Sequence, residues 1–289
     1  MLITILQAII LGIVQGVTEF IPISSSAHLI LVPWLFGWTE PALTSLTFDV
    51  ALHIGTLVAV LVYFAQDWVR LAKALFASLR ERKIGTDPDR RMAWFILIGT
   101  IPGGIVGVLA ESKIEKLFHQ PGAPIATGAI LAIAGITALL GAALLLVDRL
   151  ARHTKELSNM SLVDTLLIGL AQAFAIFPGV SRSGSTITAG LALGFKRESA
   201  ARFSFLLSAP IIAGAGLKSL VEVYSGVMSG AISSGELILF PIGLITAAIS
   251  GYLCIRFLLN YLQKHPMDIF VYYRWALAVL VSVVALLRS

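Results

Sequence analysis

The chain has 289 residues, of which 57% are hydrophobic and only 13% charged, and its mean hydropathy is +0.91. A water-soluble domain covers its surface with about a quarter charged residues, so a soluble enzyme is excluded, and the net charge of +5 belongs to loops beside a membrane rather than to a nucleic-acid face. The single cysteine, Cys254, excludes an intrachain disulfide and a metal–thiolate cluster.

The first element, residues 2–37, is an apolar stretch broken near its middle by Ile21-Pro22-Ile23-Ser24-Ser25-Ser26. No Lys or Arg precedes it, and Glu19 stands where a signal peptide would be expected to end, so no cleaved signal peptide is expected. Unbroken stretches follow at 48–66, 92–110 and 125–148, each near the length of about 20 residues that spans a bilayer. Residues 161–195 repeat the broken pattern, here at Phe177-Pro178-Gly179-Val180-Ser181-Arg182-Ser183-Gly184-Ser185-Thr186. Three more spans follow at 203–222, 237–258 and 270–288.

Proline removes a backbone donor and disfavours helix in the residue before it. Non-helical backbone at membrane depth is tolerated only where protein buries it or it lines a wet cavity. Each broken stretch therefore reads as a re-entrant helical hairpin, with a pair of kinked spanning helices as the alternative. The expected fold is an all-α polytopic membrane protein with about six transmembrane helices plus two re-entrant hairpins.

The two halves resemble each other. A shift of 157 residues aligns Gly12 with Gly169, Gln15 with Gln172, Phe20 with Phe177, Ser24 with Ser181 and Ser26 with Ser183. A shift of 144 aligns Ile98, Gly99 and Gly107 with Ile242, Gly243 and Gly251. One hairpin plus three spans per half is an odd number of crossings, so the second half is expected to sit upside down, giving an inverted-topology repeat of residues 1–157 and 158–289 within one membrane domain.

Charge sets the orientation. The segment 67–91, read as a loop, carries Arg70, Lys73, Arg80, Arg82, Lys83, Arg90 and Arg91, and Arg149, Arg152, Lys155, Lys196, Arg197, Arg202, Arg256, Lys264 and Arg274 are placed on the same side. The opposite side takes Lys113, Lys116, Lys218 and Arg288. The basic side is expected to be cytoplasmic, with both termini outward and the first hairpin entering from outside.

Ionisable groups inside a bilayer are costly and mark function. At the first tip, Gln15 and Glu19 share a helix face at i,i+4, Pro22 ends that helix, and the serines cap the next. His28 follows Ser25 by three residues, which puts both on one face. This tip offers a carboxylate, a hydroxyl nucleophile, an imidazole and an anion-binding helix N-terminus. The second tip adds Arg182, a planar permanent cation suited to phosphate, with the hydroxyls of Ser181, Ser183 and Thr186. Two helix N-termini and an arginine aimed at one point describe a pocket for a multiply charged anion, and a diphosphate fits. Plain helix capping for Ser24, Ser26 and Ser185, and a structural Glu19–Arg182 salt bridge, remain alternatives. Asp49 and His53, at i,i+4, read equally as structural or functional.

With these residues in view, the sequence resembles the undecaprenyl-diphosphate phosphatase family, also called the bacitracin-resistance family. One motif is Glu/Gln-x-x-x-Glu followed by Pro-x-Ser-Ser and His, here Gln15, Glu19, Pro22, Ser24, Ser25 and His28; the other is Pro-Gly-x-Ser-Arg-Ser-x-x-Thr, here Pro178, Gly179, Ser181, Arg182, Ser183 and Thr186. Arg274 resembles a third family arginine. Gln15, where many members have a second Glu, departs toward a site with one carboxylate, and Ser26-Ala27 stands where others have Thr-Gly.

The resemblance implies hydrolysis of undecaprenyl diphosphate to the monophosphate and inorganic phosphate in the bacterial cytoplasmic membrane, recycling the cell-wall lipid carrier. It implies a divalent cation, Mg²⁺ or Ca²⁺, held by Glu19 with Gln15. Arg182, with Ser24, Ser181, Ser183, Thr186 and Arg274, would bind the phosphates. Ser25 would attack with His28 as general base, direct attack by His28 staying open. The outward entry of the first hairpin favours a site opening to the periplasmic face. Surrounding lipids are the expected environment, no nucleic acid is expected, and a homodimer is left open. Broken helices meeting at mid-membrane are also a transporter signature, so a lipid-phosphate flippase is the second reading.

Overall fold

The computed structural model describes residues 1–118, 125–228 and 238–288, with a few side chains near those gaps, and that of Leu46, left aside. Eleven α-helices and no strands occur among them: α1 (Leu2–Phe20), α2 (Ser25–Phe36), α3 (Leu46–Tyr63), α4 (Ala65–Glu81), α5 (Pro88–Phe118), α6 (Thr127–Leu150), α7 (Leu162–Ala173), α8 (Arg182–Ala192), α9 (Arg197–Met228), α10 (Leu239–Leu262) and α11 (Asp268–Leu287). A 3₁₀ turn, Phe174–Ile176, extends α7 toward the second break.

Five of the six predicted spans recur as α5, α6, α9, α10 and α11, which are long and apolar enough to cross a membrane. The predicted start of the fifth span, residue 237, and the side chains of Lys113 and Lys116 lie outside the described residues. The helices carry apolar stripes on their outer faces at helical spacing: Leu97, Ile101, Ile105 and Val108 on α5, and Ile245, Ile249, Leu253 and Phe257 on α10. Such stripes are stable facing lipid, not water, so this is a polytopic membrane protein.

Three expectations change. The 48–66 span ends at Tyr63, and α4 leaves it at 81°. The basic segment read as a loop is therefore largely the helix α4: Trp68, Leu71, Leu75 and Ser78, at helical spacing, face the protein, while Arg70, Lys73 and Arg80 lie on other faces. Its dense charge hid its period. The first half of the first broken stretch is longer than expected, because α1 has 19 residues and by length and composition is itself a candidate span. Arg274 is not among the loop charges at all; it is buried within α11.

Glycines of the two sequence matches meet in crossed pairs between the halves. A Cβ on Gly12 would lie 2.6 Å from the Gly243 carbonyl oxygen, and one on Gly169 would lie 2.5 Å from the Gly99 carbonyl oxygen. Only glycine permits this approach of α1 to α10 and of α7 to α5. The first helix of each broken stretch thus packs on a span of the other half, and the two pairs are equivalent. The core below is apolar and continuous, from Phe20 through Phe64, Phe95 and Phe195 to Phe203 and Phe205.

Candidate active site

Both breaks are built alike. Ser24 and Ser181 cap α2 and α8 with positive φ, 77° and 71°. That conformation costs a non-glycine residue about 1–3 kcal/mol and persists only where surrounding contacts over-determine it. Here they do. Ser24 Oγ accepts from Ala27 N at 3.4 Å and from Gly179 N, across the break in the other half, at 3.1 Å. Ser181 Oγ accepts from Gly184 N at 3.0 Å, and Ser183 Oγ donates to the Ile21 carbonyl at 3.2 Å. Each break therefore holds the other.

The third family arginine lies between the two breaks. Arg274 is 1% exposed. Its Nε donates to the Pro22 carbonyl at 2.5 Å, Nη2 to the Val180 carbonyl at 3.1 Å and Nη1 to the Thr137 carbonyl at 3.4 Å. One residue thus satisfies carbonyls of both breaks and of α6. With its donors on these carbonyls, the guanidinium staples the two tips together. The hydroxyls of Ser24, Ser181, Ser183 and Thr186, expected to meet phosphate, are likewise buried and committed within the protein; Thr186 Oγ1 donates to the Arg182 carbonyl at 2.8 Å and pairs with Ser204 Oγ at 2.7 Å.

What remains facing the junction is compact. Ser25 Oγ donates to Glu19 Oε2 at 2.5 Å. Glu19 Oε1 accepts from Arg182 Nη2 at 2.9 Å, and Arg182 Nη1 anchors on the Ser204 carbonyl at 2.8 Å. Gln15 Nε2 donates to Glu19 Oε2 at 3.0 Å, and Gln15 Oε1 is buried with no hydrogen-bond partner. His53 Nε2 stands 3.5 Å from Glu19 Oε2. The first N–H groups of α2 and α8 have no intrahelical acceptor, as at any helix start. The structure thus joins Glu19, Ser25 and Arg182 across the two halves, as the sequence anticipated.

It does not bring His28 to Ser25. His28 Nδ1 meets the Ser24 carbonyl at 2.7 Å, so Nδ1 carries the proton, and Nε2 meets the Tyr273 hydroxyl at 2.7 Å. Both ring nitrogens are occupied, and the group that accepts the Ser25 hydrogen bond is Glu19. Helical periodicity put Ser25 and His28 on one side of α2 but could not show Tyr273, which comes from α11 and stacks on the imidazole. His53 and Asp49 are the pair the sequence left undecided; their i,i+4 spacing was visible, but the nearness of His53 to Glu19 was not.

A divalent cation would find oxygen donors here in the Glu19 carboxylate and in Gln15 Oε1, whose lack of a partner leaves it free for such a role. Among the described residues no group of three or more His, Cys, Asp or Glu could hold a metal. Phosphate oxygens and water would supply further ligands to such an ion, a habit of Mg²⁺ in phosphate-handling sites.

Residues 8–280 match the family described as bacitracin resistance protein BacA. The chain is 47% identical over 286 residues to an undecaprenyl-diphosphatase of Caldicellulosiruptor bescii, covering 99% of each. It is 47% identical over 283 residues to one of Thermomicrobium roseum, covering 98% of this chain and 99% of the relative. With that of Moorella thermoacetica the identity is 46% over 285 residues, again 99% of each. Nearly the whole chain takes part in these matches, both hairpins included, and it therefore belongs to the BacA bacitracin resistance protein family.

Proposed function

We propose that the chain hydrolyses undecaprenyl diphosphate to undecaprenyl phosphate and inorganic phosphate at the junction of its two hairpin tips. The observation that carries this is Ser25 Oγ, hydrogen-bonded to a buried carboxylate that an arginine from the other tip neutralises. The relatives, all named for this hydrolysis, supply the substrate. No observation of its own favours the flippase reading, and it is not taken further.

Ser25 Oγ attacks the terminal phosphorus as its proton passes to Glu19 Oε2. The bond from that phosphorus to the bridging oxygen breaks, and undecaprenyl phosphate leaves with the oxygen and takes the proton from Glu19. Glu19, ionised again, accepts a proton from water attacking the phosphoserine and returns it to Ser25 Oγ as inorganic phosphate departs. Arg182 and the two helix N-termini stabilise the charge spread over the phosphoryl oxygens. His28 holds the Ser24 carbonyl and so fixes the cap that aims Ser25. Glu19 and Gln15 would hold a divalent cation, which when bound supplies charge neutralisation at the diphosphate.

The test is phosphate release by purified protein in detergent, where no compartments exist for transport. Release is expected from the wild type and a loss of at least about 10³-fold from Ser25→Ala; full activity in that variant would sink the assignment.

The basic end is taken as cytoplasmic, the membrane as the bacterial cytoplasmic membrane, both termini as outward and the site as periplasmic. With Cys254 replaced, cysteines at Gly85 and Thr154 should resist an impermeant thiol reagent in intact cells, and one at Thr39 should react. Equal labelling at Gly85 and Thr39 would refute the orientation.

A further inference from the structure

We propose that His53 is a ligand to the cation at Glu19, completing a mixed nitrogen–oxygen site that favours a transition-metal ion such as Mn²⁺ over Ca²⁺. The proposal rests on the active-site reading above and assigns His53 a part in it. His53 Nδ1 lies 2.7 Å from the Asp49 carbonyl. A carbonyl only accepts, so Nδ1–H is turned to Asp49 and Nε2 is the ring nitrogen turned to Glu19. Nε2 lies 3.5 Å from Glu19 Oε2, a separation that one cation between them would bridge. Two ligands held by one cation at about 2.1 Å lie roughly 3.0–3.5 Å apart, which is the spacing seen.

Three further features agree. An imidazole oriented through Nδ1–H to a carbonyl, with Nε2 left for metal, is the usual posture of a ligating histidine. The two carboxylate oxygens are divided, Oε1 taking Arg182 and Oε2 facing His53, Gln15 and Ser25, so the arginine and a cation do not compete for one atom. Gln15 is fully buried, and its Oε1 has no hydrogen-bond partner. A half-turn of its amide would put that oxygen where Nε2 now meets Glu19, a contact that two oxygens tolerate only with a cation between them. His53 itself is 26% exposed, which leaves water and phosphate oxygens a way to the remaining positions. Imidazole nitrogen moves a site's preference away from Ca²⁺ and Mg²⁺, which seek oxygen, toward first-row transition metals.

The probe is Mn²⁺, bound to full-length protein in detergent with a methylene-bridged, non-hydrolysable prenyl diphosphonate. Pulsed EPR on protein with ¹⁵N-labelled histidine should show one coupled histidine nitrogen. His53→Gln should lose that coupling and weaken Mn²⁺ about tenfold relative to Ca²⁺, and Glu19→Gln should abolish Mn²⁺ binding. Three results overturn the proposal: bound Mn²⁺ with no histidine coupling, coupling that persists in His53→Gln, or Mn²⁺ retained by Glu19→Gln. None of them touches the phosphatase reading, which stands or falls on phosphate release by the wild type and its loss in Ser25→Ala.

Discussion

The two hairpin tips share one scaffold and divide the chemistry. Each breaks its helix at a proline, caps the next with a serine at positive φ, and carries a buried glutamine at the equivalent place, Gln15 or Gln172. They differ at two kinds of position. Four residues after the glutamine stands Glu19 in the first tip and Ile176 in the second; directly after the cap stands Ser25 in the first and Arg182 in the second. The backbone sets where a group is delivered, and single side chains decide whether it is the carboxylate and hydroxyl or the cation that meets them. Neither tip is a site alone, because Glu19 needs Arg182 as its partner.

The sharpest way to break this division is at the arginine. Arg182→Lys keeps the charge but loses the fork that reaches Glu19 Oε1 and the Ser204 carbonyl together. Its phosphate release is expected to fall by about 10²–10³-fold, mostly in kcat. Near-normal turnover in steady-state assays would mean that the second tip contributes charge alone and the geometry is immaterial.

Arg274 tests whether the tips are held together separately from the chemistry. Arg274→Met removes the donors to Pro22, Val180 and Thr137; Thr137 keeps its bond within α6, but the Pro22 and Val180 carbonyls at the two breaks lose this donor. The expected cost is about 3 kcal/mol, the sum of unmet acceptors less the relief of an enclosed charge. It should be read as a fall of several degrees in apparent Tm in detergent, with KM little changed at low temperature. A large rise in KM at unchanged Tm would restore Arg274 as a phosphate ligand.

Much of this was legible in the sequence, and what was not has a common cause. Proline beside a serine cluster marks a break whatever surrounds it, so both tips and the meeting of Glu19, Ser25 and Arg182 could be read. The partners of individual polar groups could not. A buried arginine reads alike as staple or ligand until its acceptors are known, and those of Arg274 lie 252, 137 and 94 residues away. His28 and Ser25 share a face by period, but the backbone turn at Ser24 delivers Ser25 to Glu19 and leaves His28 to Tyr273. The turn from α3 into α4 falls at Phe64 and Ala65, with neither proline nor glycine to announce it.

The glutamines give the smallest and most discriminating test. Gln15 has a hydrogen-bond partner in Glu19, but Gln172, 2% exposed, has none for either Nε2 or Oε1 among the described residues. Its neighbours are Gly103, where an added Cβ would meet Nε2 at 3.1 Å, and Ile176 where the carboxylate would be. A buried amide without partners costs about 1–3 kcal/mol. Methionine has nearly the same shape and no such need. Gln172→Met is therefore expected to stabilise the protein by about 1 kcal/mol, seen as a small rise in apparent Tm, and to leave phosphate release intact because no part of the chemistry reaches that side. Gln15→Met should do the reverse, lowering activity because it strips Glu19 of a partner, with little gain in Tm. If Gln172→Met instead lowers Tm, the amide holds a buried water or ion, and the second tip carries a polar site of its own rather than the bare half of a shared one.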